Sequence, residues 1–237
     1  MESGKEFHMY HEIIFFLDGE AELITEDLHM ELKPDSLIII PKEKYHQVII
    51  HGDQENYYRC VINFYDVPEL ASLIQDSMIR SMVLNPENQI RYLFHKLIEN
   101  ITHSNAQQIL KAVLVLLLGD IQKEINTNVM ESTQNGLVRS AIYYINNNIN
   151  KKITINDIAK NCNMSPSSLS HVFKKEMKIS LYKFILKKRL INAHHKIMSG
   201  EPPTAAAMEC GFYDYSGFYK QYKKVFGYAP SQKKSVD

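Results

Sequence analysis

Between His11 and Phe64 apolar and polar residues alternate in short runs, HEIIFFL, EAELIT, LHMELK, SLIIIP, YHQVII and YYRCVINF. Turn formers at Asp18-Gly19, Lys33-Pro34-Asp35 and His51-Gly52-Asp53 separate them, which is the pattern of strands in an antiparallel sheet. Asp18-Gly19 predicts a two-residue hairpin, because a type I′ turn needs positive φ at both central positions and Asp and Gly tolerate it best. The runs together predict a small antiparallel barrel or sandwich. In YYRCVINF, Tyr57, Arg59, Val61 and Asn63 share one face and Tyr58, Cys60, Ile62 and Phe64 the other, so one face turns polar groups toward solvent or a cavity.

Beyond Val67 the period changes from two to about 3.6. Asn85-Pro86 predicts an N-cap and first-turn proline, followed by a stripe of Ile90, Leu93, Phe94, Leu97, Ile98 and Ile101, an amphipathic helix to cover the barrel. From Asn105 to Asn126 the spacing of Leu110, Leu114, Leu117 and Ile121 is again helical, yet Val113, Val115, Leu116 and Leu118 leave the segment apolar nearly all round. Such a helix needs cover on two sides. One side belongs to its own barrel; the other is either a second copy of the chain, a homodimer formed through Leu110, Leu114, Leu117 and Ile121, or neighbouring helices. The polar stretch NTNVMESTQNG, Asn126 to Gly136, is the linker, placing a first domain at 1–130 and a second at 131–237.

The second domain reads as consecutive helices: Leu137 to Ile149, Asn156 to Cys162, Pro166 to Met177, Leu181 to Met198, Thr204 to Cys210 and Tyr215 to Val225. Two units repeat one grammar. In the first, Thr154 and Asp157 make a capping-box-like start, Ile158-Ala159 pack inward, and Asn163-Met164-Ser165 turn into Pro166 at a helix's first position. In the second, Ala206-Ala207 take the inward place, Gly211-Phe212 make the turn and Asp214 caps the last helix. Both are helix-turn-helix patterns. The 18 residues from Leu181 to Met198 span roughly 27 Å as a helix, a strut able to set two recognition helices about 34 Å apart, in successive major grooves.

Charge sharpens this division. Residues 1–136 carry 10 Lys+Arg against 21 Asp+Glu, and residues 137–237 carry 17 against 6, so a net −11 precedes a net +11. A cationic module of this kind gains affinity for a polyanion by releasing counterions from its phosphates. The longest apolar run, Ala112 to Leu118, is far short of the roughly 18 residues of a membrane span, and no signal-peptide core follows Glu2, Lys5 and Glu6. The expectation is a cytoplasmic protein without membrane contact. Cys60, Cys162 and Cys210 lie far apart without a CxxC and read as reduced thiols.

The segments IAKNCNMSPSSLSHVFKKEMKIS, LYKFILKKRLINAHHKIM and AAMECGFYDYSGFYKQYKKVFGYAPSQ resemble the AraC/XylS transcriptional regulators. The combination Gly211-Phe212, Asp214, Ser216, Phe218, Lys220, Gly227 and Pro230 is that family's signature almost intact. YHEIIFFLDGEAEL and PDSLIIIPKEKYH resemble its cupin-type sensing barrel. The resemblance implies an α+β chain with an N-terminal antiparallel cupin-like barrel, covering helices, and an all-α double helix-turn-helix tail. It implies a non-enzymatic, sequence-specific regulator of transcription whose partners are double-stranded promoter DNA, RNA polymerase and a small-molecule effector.

Helical spacing turns Leu169, Val172 and Phe173 inward and leaves Ser167, Ser168, Ser170, His171, Lys174 and Lys175 outward. By similarity to the family, Ser167, Ser170 and His171 read bases, while Lys174 and Lys175 suit phosphates. In the last helix Phe218, Tyr222 and Val225 point inward; Tyr215, Gly217, Tyr219 and Lys220 occupy the family's base-reading positions, with Ser216 and Lys223 beside them. Gly217 costs about 1 kcal/mol relative to Ala, and either brings the helix closer to the duplex or weakens this unit. Tyr215 and Tyr219 read equally as packing residues. Lys187 is a candidate phosphate contact and Arg189 a brace between helices. The sequence departs from the family at Lys178, where a Gly is usual, at Ala206, at Glu201-Pro202-Pro203, and before His8, where the family usually carries a further arm.

Cupin barrels also hold metal enzymes, and the alternative function is such an enzyme with an accessory nucleic-acid module. The fragment His8-Met9-Tyr10-His11-Glu12 lacks the HxH spacing, and on an alternating strand His8 and His11 fall on opposite faces. The expectation is no metal and no cofactor. Glu12, His46, Tyr57 and Arg59 are the candidate effector residues.

Overall fold

The computed structural model describes residues 7–52, 54–65, 79–100, 108, 110, 116 and 135–232. The chain divides into two units, Met1–Gln134 and Asn135–Asp237. In the first, each alternating run becomes a strand: β1 (His11–Asp18), β2 (Glu20–Thr25), β3 (His29–Leu32), β4 (Ser36–Ile40), β5 (His46–His51) and β6 (Tyr58–Phe64). A further strand, β7 (Arg80–Val83), extends the sheet at a place where no alternation marks it. The order is β6-β1-β4-β7 in one sheet and β3-β2-β5 in the other.

Asp18-Gly19 therefore does not close a hairpin. β1 pairs with β4 and β6, β2 with β3 and β5, so the dipeptide carries the chain from one sheet to the other. Only Gly19 has positive φ, at 116°, and a Cβ there would meet the Asn56 carbonyl oxygen at 2.9 Å. Glycine is required by both the corner and the close approach.

Alternation along β1 feeds two cores. Ile14 and Phe16 turn inward with Ala21, Leu23, Met30, Leu32, Ile38, Ile40 and Val48, residues drawn from both sheets. Ile13 and Phe15 turn the other way and meet α1 (Gln89–Asn100) through Ile90, Leu93, Phe94 and Leu97; the Phe15 and Phe94 rings stack at 4.6 Å. The covering helix forms as its stripe predicts, but Asn85-Pro86 is not its cap. Residues 85–88 make a turn closed by the Asn88 amide donating to the Asn85 carbonyl, and the Asn88 side chain accepts from the Ile90 amide. The predicted helix at 105–126 and the linker lie outside the described residues apart from helical residues 108, 110 and 116 and the linker's last two.

The second unit is helical: α2 (Gly136–Asn148), α3 (Ile155–Asn161), α4 (Pro166–Met177), α5 (Leu181–Met198), α6 (Pro203–Glu209) and α7 (Tyr215–Phe226). Polar caps set most of the starts. Thr154 and Asp157 form a reciprocal capping box, and Ser165, Ser180 and Asp214 each accept from backbone amides of the helix they begin. Leu190, Ala193 and Ile197 of α5 bury Ala206, Ala207, Cys210, Phe218 and Tyr222. The period slips by one residue at the end of α7, where Val225 is 39% exposed and Phe226 packs on the core in its place.

Lys178 ends α4 in the left-handed conformation, φ 53° and ψ 11°, which a residue with a Cβ adopts at a cost of roughly 1 kcal/mol or more. Lys178 is exposed. Lys178→Gly should raise the stability of this unit by up to about 1 kcal/mol, read by urea denaturation; a loss of stability would mean that the lysine stem contributes more than the strain removes.

Candidate nucleic-acid interface and sensor site

The outward face of α4 is built from its cap. The Ser165 side chain accepts from the Ser168 amide and meets its hydroxyl at 2.8 Å, fixing the first turn with Pro166 at its start. Leu169, Phe173 and Met177 are fully buried, which leaves Ser167, Ser168, His171, Lys174 and Lys175 exposed and Ser170 half-buried. The Ser170 hydroxyl donates to the Pro166 carbonyl at 2.8 Å, so toward a groove it presents an acceptor.

On α7 the Asp214 carboxylate accepts from the amides of Ser216 and Gly217 at 3.0 and 2.8 Å. A Cβ at Gly217 would stand 2.7 Å from the Asp214 Oδ2 atom. The helix-weakening glycine thus makes room for the cap, a reason invisible in the sequence. Ser216, Lys220 and Lys223 are exposed; Tyr215 and Tyr219 are 39% and 37% exposed, and the Tyr215 ring tilts against Phe218 at 5.6 Å. Lys187 is half-buried on α5.

Arg189 joins the pieces. From α5 its guanidinium donates to the carbonyls of Ile149 at 3.3 Å, Lys151 at 2.9 Å and Gly211 at 3.2 Å. One side chain holds the loop before the first helix-turn-helix and the turn of the second. Gly211 has φ 81°, and a Cβ on it would sit 2.9 Å from the Arg189 Cζ atom. Burial pulls the guanidinium's pKa down from its ordinary value.

In the first unit Glu12 and His46 share the inward face with Ile14, Phe16 and Val48, because strand residues two apart point the same way. His46 Nε2 lies 3.4 Å from Glu12 Oε2. The third member is His8, which the spacing set aside. It precedes β1 rather than lying on it, and its Nε2 reaches the same oxygen at 2.7 Å while Nδ1 faces the Tyr10 carbonyl. His11 turns away, accepting from the Lys42 amide. Among the described residues His8, Glu12 and His46 are a group able to hold a metal ion, with one ligand atom from each lying within 4.8 Å of the others. The signal was the four-residue separation of His8 and Glu12, which a turn can close and a strand cannot.

Burial raises the Glu12 carboxyl, but hydrogen bonds with His46 and then His8 outweigh it and hold the group at about 2. Tyr57 and Arg59 form the neighbouring pair. The guanidinium lies 5.7 Å from the Tyr57 ring centre, and that ring tilts against Phe16 at 5.8 Å. The Tyr57 phenol is pushed above its ordinary value, chiefly by burial, with Arg59 pulling it down and the Glu12 charge pushing it further up. Its hydroxyl is buried, with the Arg59 guanidinium as its polar neighbour. All four predicted effector residues therefore belong to one neighbourhood. Of the predicted dimerisation residues, Leu110 packs against the core beneath α1, and Leu114, Leu117 and Ile121 lie outside the described residues.

A family profile described as a cupin domain matches residues 2–62, and one described as a helix-turn-helix domain matches residues 158–235. An uncharacterized HTH-type transcriptional regulator, YobQ of Bacillus subtilis (strain 168), is 27% identical over 228 residues, covering 94% of this chain and 85% of that protein. The crystal structure of a probable AraC family transcriptional regulator from Rhodopseudomonas palustris CGA009 is 31% identical, covers 41% of this chain and 93% of that one, and has a TM-score of 0.38. ToxT from Vibrio cholerae O395 is 15% identical, with 97% and 90% of the two chains covered and a TM-score of 0.43. A cupin domain followed by two helix-turn-helix units defines a two-domain DNA-binding transcriptional regulator. Within that class it carries an AraC-type helix-turn-helix domain.

The Glu12 site gives a pH test. Its carboxyl lies at about 2 against an ordinary 4.5, so the stability it contributes is complete above about 4.5 and is lost as pH falls toward about 2. Thermal unfolding of the wild type and Glu12→Gln across that range should show a difference that shrinks on acidification; a difference independent of pH would remove the ionised carboxylate from the account.

Proposed function

We propose that the chain regulates transcription by reading promoter DNA through two successive major grooves. Ser167, Ser170 and His171 of α4 and Tyr215, Gly217, Tyr219 and Lys220 of α7 contact bases. Lys174, Lys175, Lys187, Ser216 and Lys223 contact phosphates. The observation that carries this reading is the pair of capped, exposed, cationic helix faces, with Arg189 bonding to both helix-turn-helix units. Phosphate contacts fix register and base contacts fix sequence.

A small molecule bound at Glu12, His46, Tyr57 and Arg59 modulates this binding. An ionised carboxylate, a guanidinium and a buried phenol within one apolar neighbourhood suit a polar ligand carrying both hydrogen-bond donors and acceptors. Its effect on DNA binding requires different ligand affinity in two arrangements of the protein. Pairing of two chains through residues 110–121, cytoplasmic action and contact with RNA polymerase complete the proposal. The helical residue Leu116, 52% exposed while Leu110 packs on its own core, supports a second covered side. Sedimentation of the intact chain tests the pairing.

A second reading is supported by His8, Glu12 and His46. Two imidazoles and a carboxylate suit a transition-metal ion, as a cupin metal enzyme carrying a nucleic-acid module would require. Metal analysis of the purified chain with a substrate screen separates the two readings: stoichiometric metal with turnover favours the enzyme.

Selection of sites from random duplexes provides the DNA test. His171→Ala and Lys220→Ala should each relax preference at one subsite, by about 1–3 kcal/mol against the wrong base. Lys174→Ala and Lys175→Ala should weaken all sequences alike and reduce the salt slope by about 1 each. Uniform weakening by His171→Ala would reassign it to the backbone, and wild-type binding without preference at any salt concentration would defeat the regulator reading.

A further inference from the structure

The joint between the two helix-turn-helix units carries a pair of side chains that no reading above uses. Lys152 lies two residues before Thr154, the cap of α3, and Tyr213 lies immediately before Asp214, the cap of α7. The Lys152 Nζ stands 5.7 Å from the Tyr213 ring centre. Both are exposed, Tyr213 by 74%. They meet because Arg189 gathers their two backbones, binding the carbonyls of Lys151 and Gly211. The nearby carboxylates are otherwise engaged, Asp157 with Thr154 and Asp214 with the first amides of α7.

We propose that Lys152 and Tyr213 together clamp the DNA backbone between the two major grooves that α4 and α7 enter. In a helix-turn-helix the first helix crosses the phosphate backbone and the recognition helix enters the groove by its N-terminal end. Lys152 stands at the start of the first helix of one unit and Tyr213 at the start of the recognition helix of the other. The point where those two ends touch lies over the phosphates separating the grooves. There the ammonium supplies charge and the phenolic hydroxyl donates a hydrogen bond to a phosphate oxygen, while the ring holds the lysine stem in place. The ligand is the phosphodiester backbone, so this contact adds affinity and register without base preference. Lys196 bridging Glu201 and Glu209 shows the contrast: that lysine's charge is already neutralised.

The inference rests on the DNA-binding reading, and the experiment separates the two. Wild type, Lys152→Ala, Lys152→Arg and Tyr213→Phe, all as the full chain, are titrated against a duplex selected from random sequence. Lys152→Ala should bind about fivefold to tenfold more weakly near 0.1 M salt, with a salt slope smaller by about 1 and unchanged base preference. Lys152→Arg should restore both, and Tyr213→Phe should lose affinity without changing the slope. Neutral methylphosphonate linkages between the half-sites should weaken the wild type by a similar factor and leave Lys152→Ala unaffected. Wild-type affinity and slope in Lys152→Ala, or an equal loss for that variant on the neutral linkages, would overturn the clamp while leaving the readers intact. A wild type that selects no duplex would overturn the DNA-binding reading itself, and the clamp with it.

Discussion

A single guanidinium bearing on three carbonyl oxygens is what makes the basic unit one reader rather than two. Carbonyl acceptors satisfy Arg189 without neutralising it, and hydrogen bonds from a charged donor are worth more than those between neutral groups. The contact is also geometrically exacting. Gly211 must adopt positive φ and must lack a side chain, because a Cβ would fall on the guanidinium. The Gly-Phe turn that marks the sequence is thus one half of a lock whose other half, Arg189, lies 22 residues earlier. With α5 as a strut and its middle residue tied to both flanking units, the separation of the recognition helices is a property of the backbone.

Much of this was legible, and the reasons are local. The helices of the basic unit begin with Thr154, Ser165 and Asp214, whose side chains compete for backbone amides and so announce a start wherever they precede a periodic stripe. The strand runs were legible because alternation is imposed by a core on one face. The failures share a different cause. Asp18-Gly19 has hairpin chemistry, but whether two strands pair or part at a turn is decided by tertiary packing, here by the approach of the chain at Asn56 and Tyr57 to Gly19. Asn85-Pro86 lost to Asn88, a competing cap three residues on.

The candidate sensor residues were legible as types but not as a set. Glu12, His46 and Arg59 could be placed on faces by strand parity, yet parity does not say which faces look at each other across two sheets. The miss at His8 follows from treating it as part of the strand. One residue outside the extended segment, the period of two no longer applies, and a turn brings an i, i+4 pair together. Val225 and Phe226 make the same point on a helix: at 3.6 residues per turn an error of one position rotates the inward face by about 100°.

The two units treat buried polar groups differently, and the difference fits their division of labour. In the basic unit His194 is buried with its Nδ1 atom 2.6 Å from the Tyr222 hydroxyl and its ring stacked on Phe226. Desolvation raises the Tyr222 phenol far above its usual value, so that pair serves packing and keeps a fixed shape. In the first unit a carboxylate is held ionised by two imidazoles among apolar side chains, and beside it lies the Tyr57 hydroxyl, with Arg59 as its polar neighbour. Packed polar pairs of this kind keep the reader's shape, whereas ionisable groups gathered on one apolar face offer a polar ligand charge and hydrogen bonds.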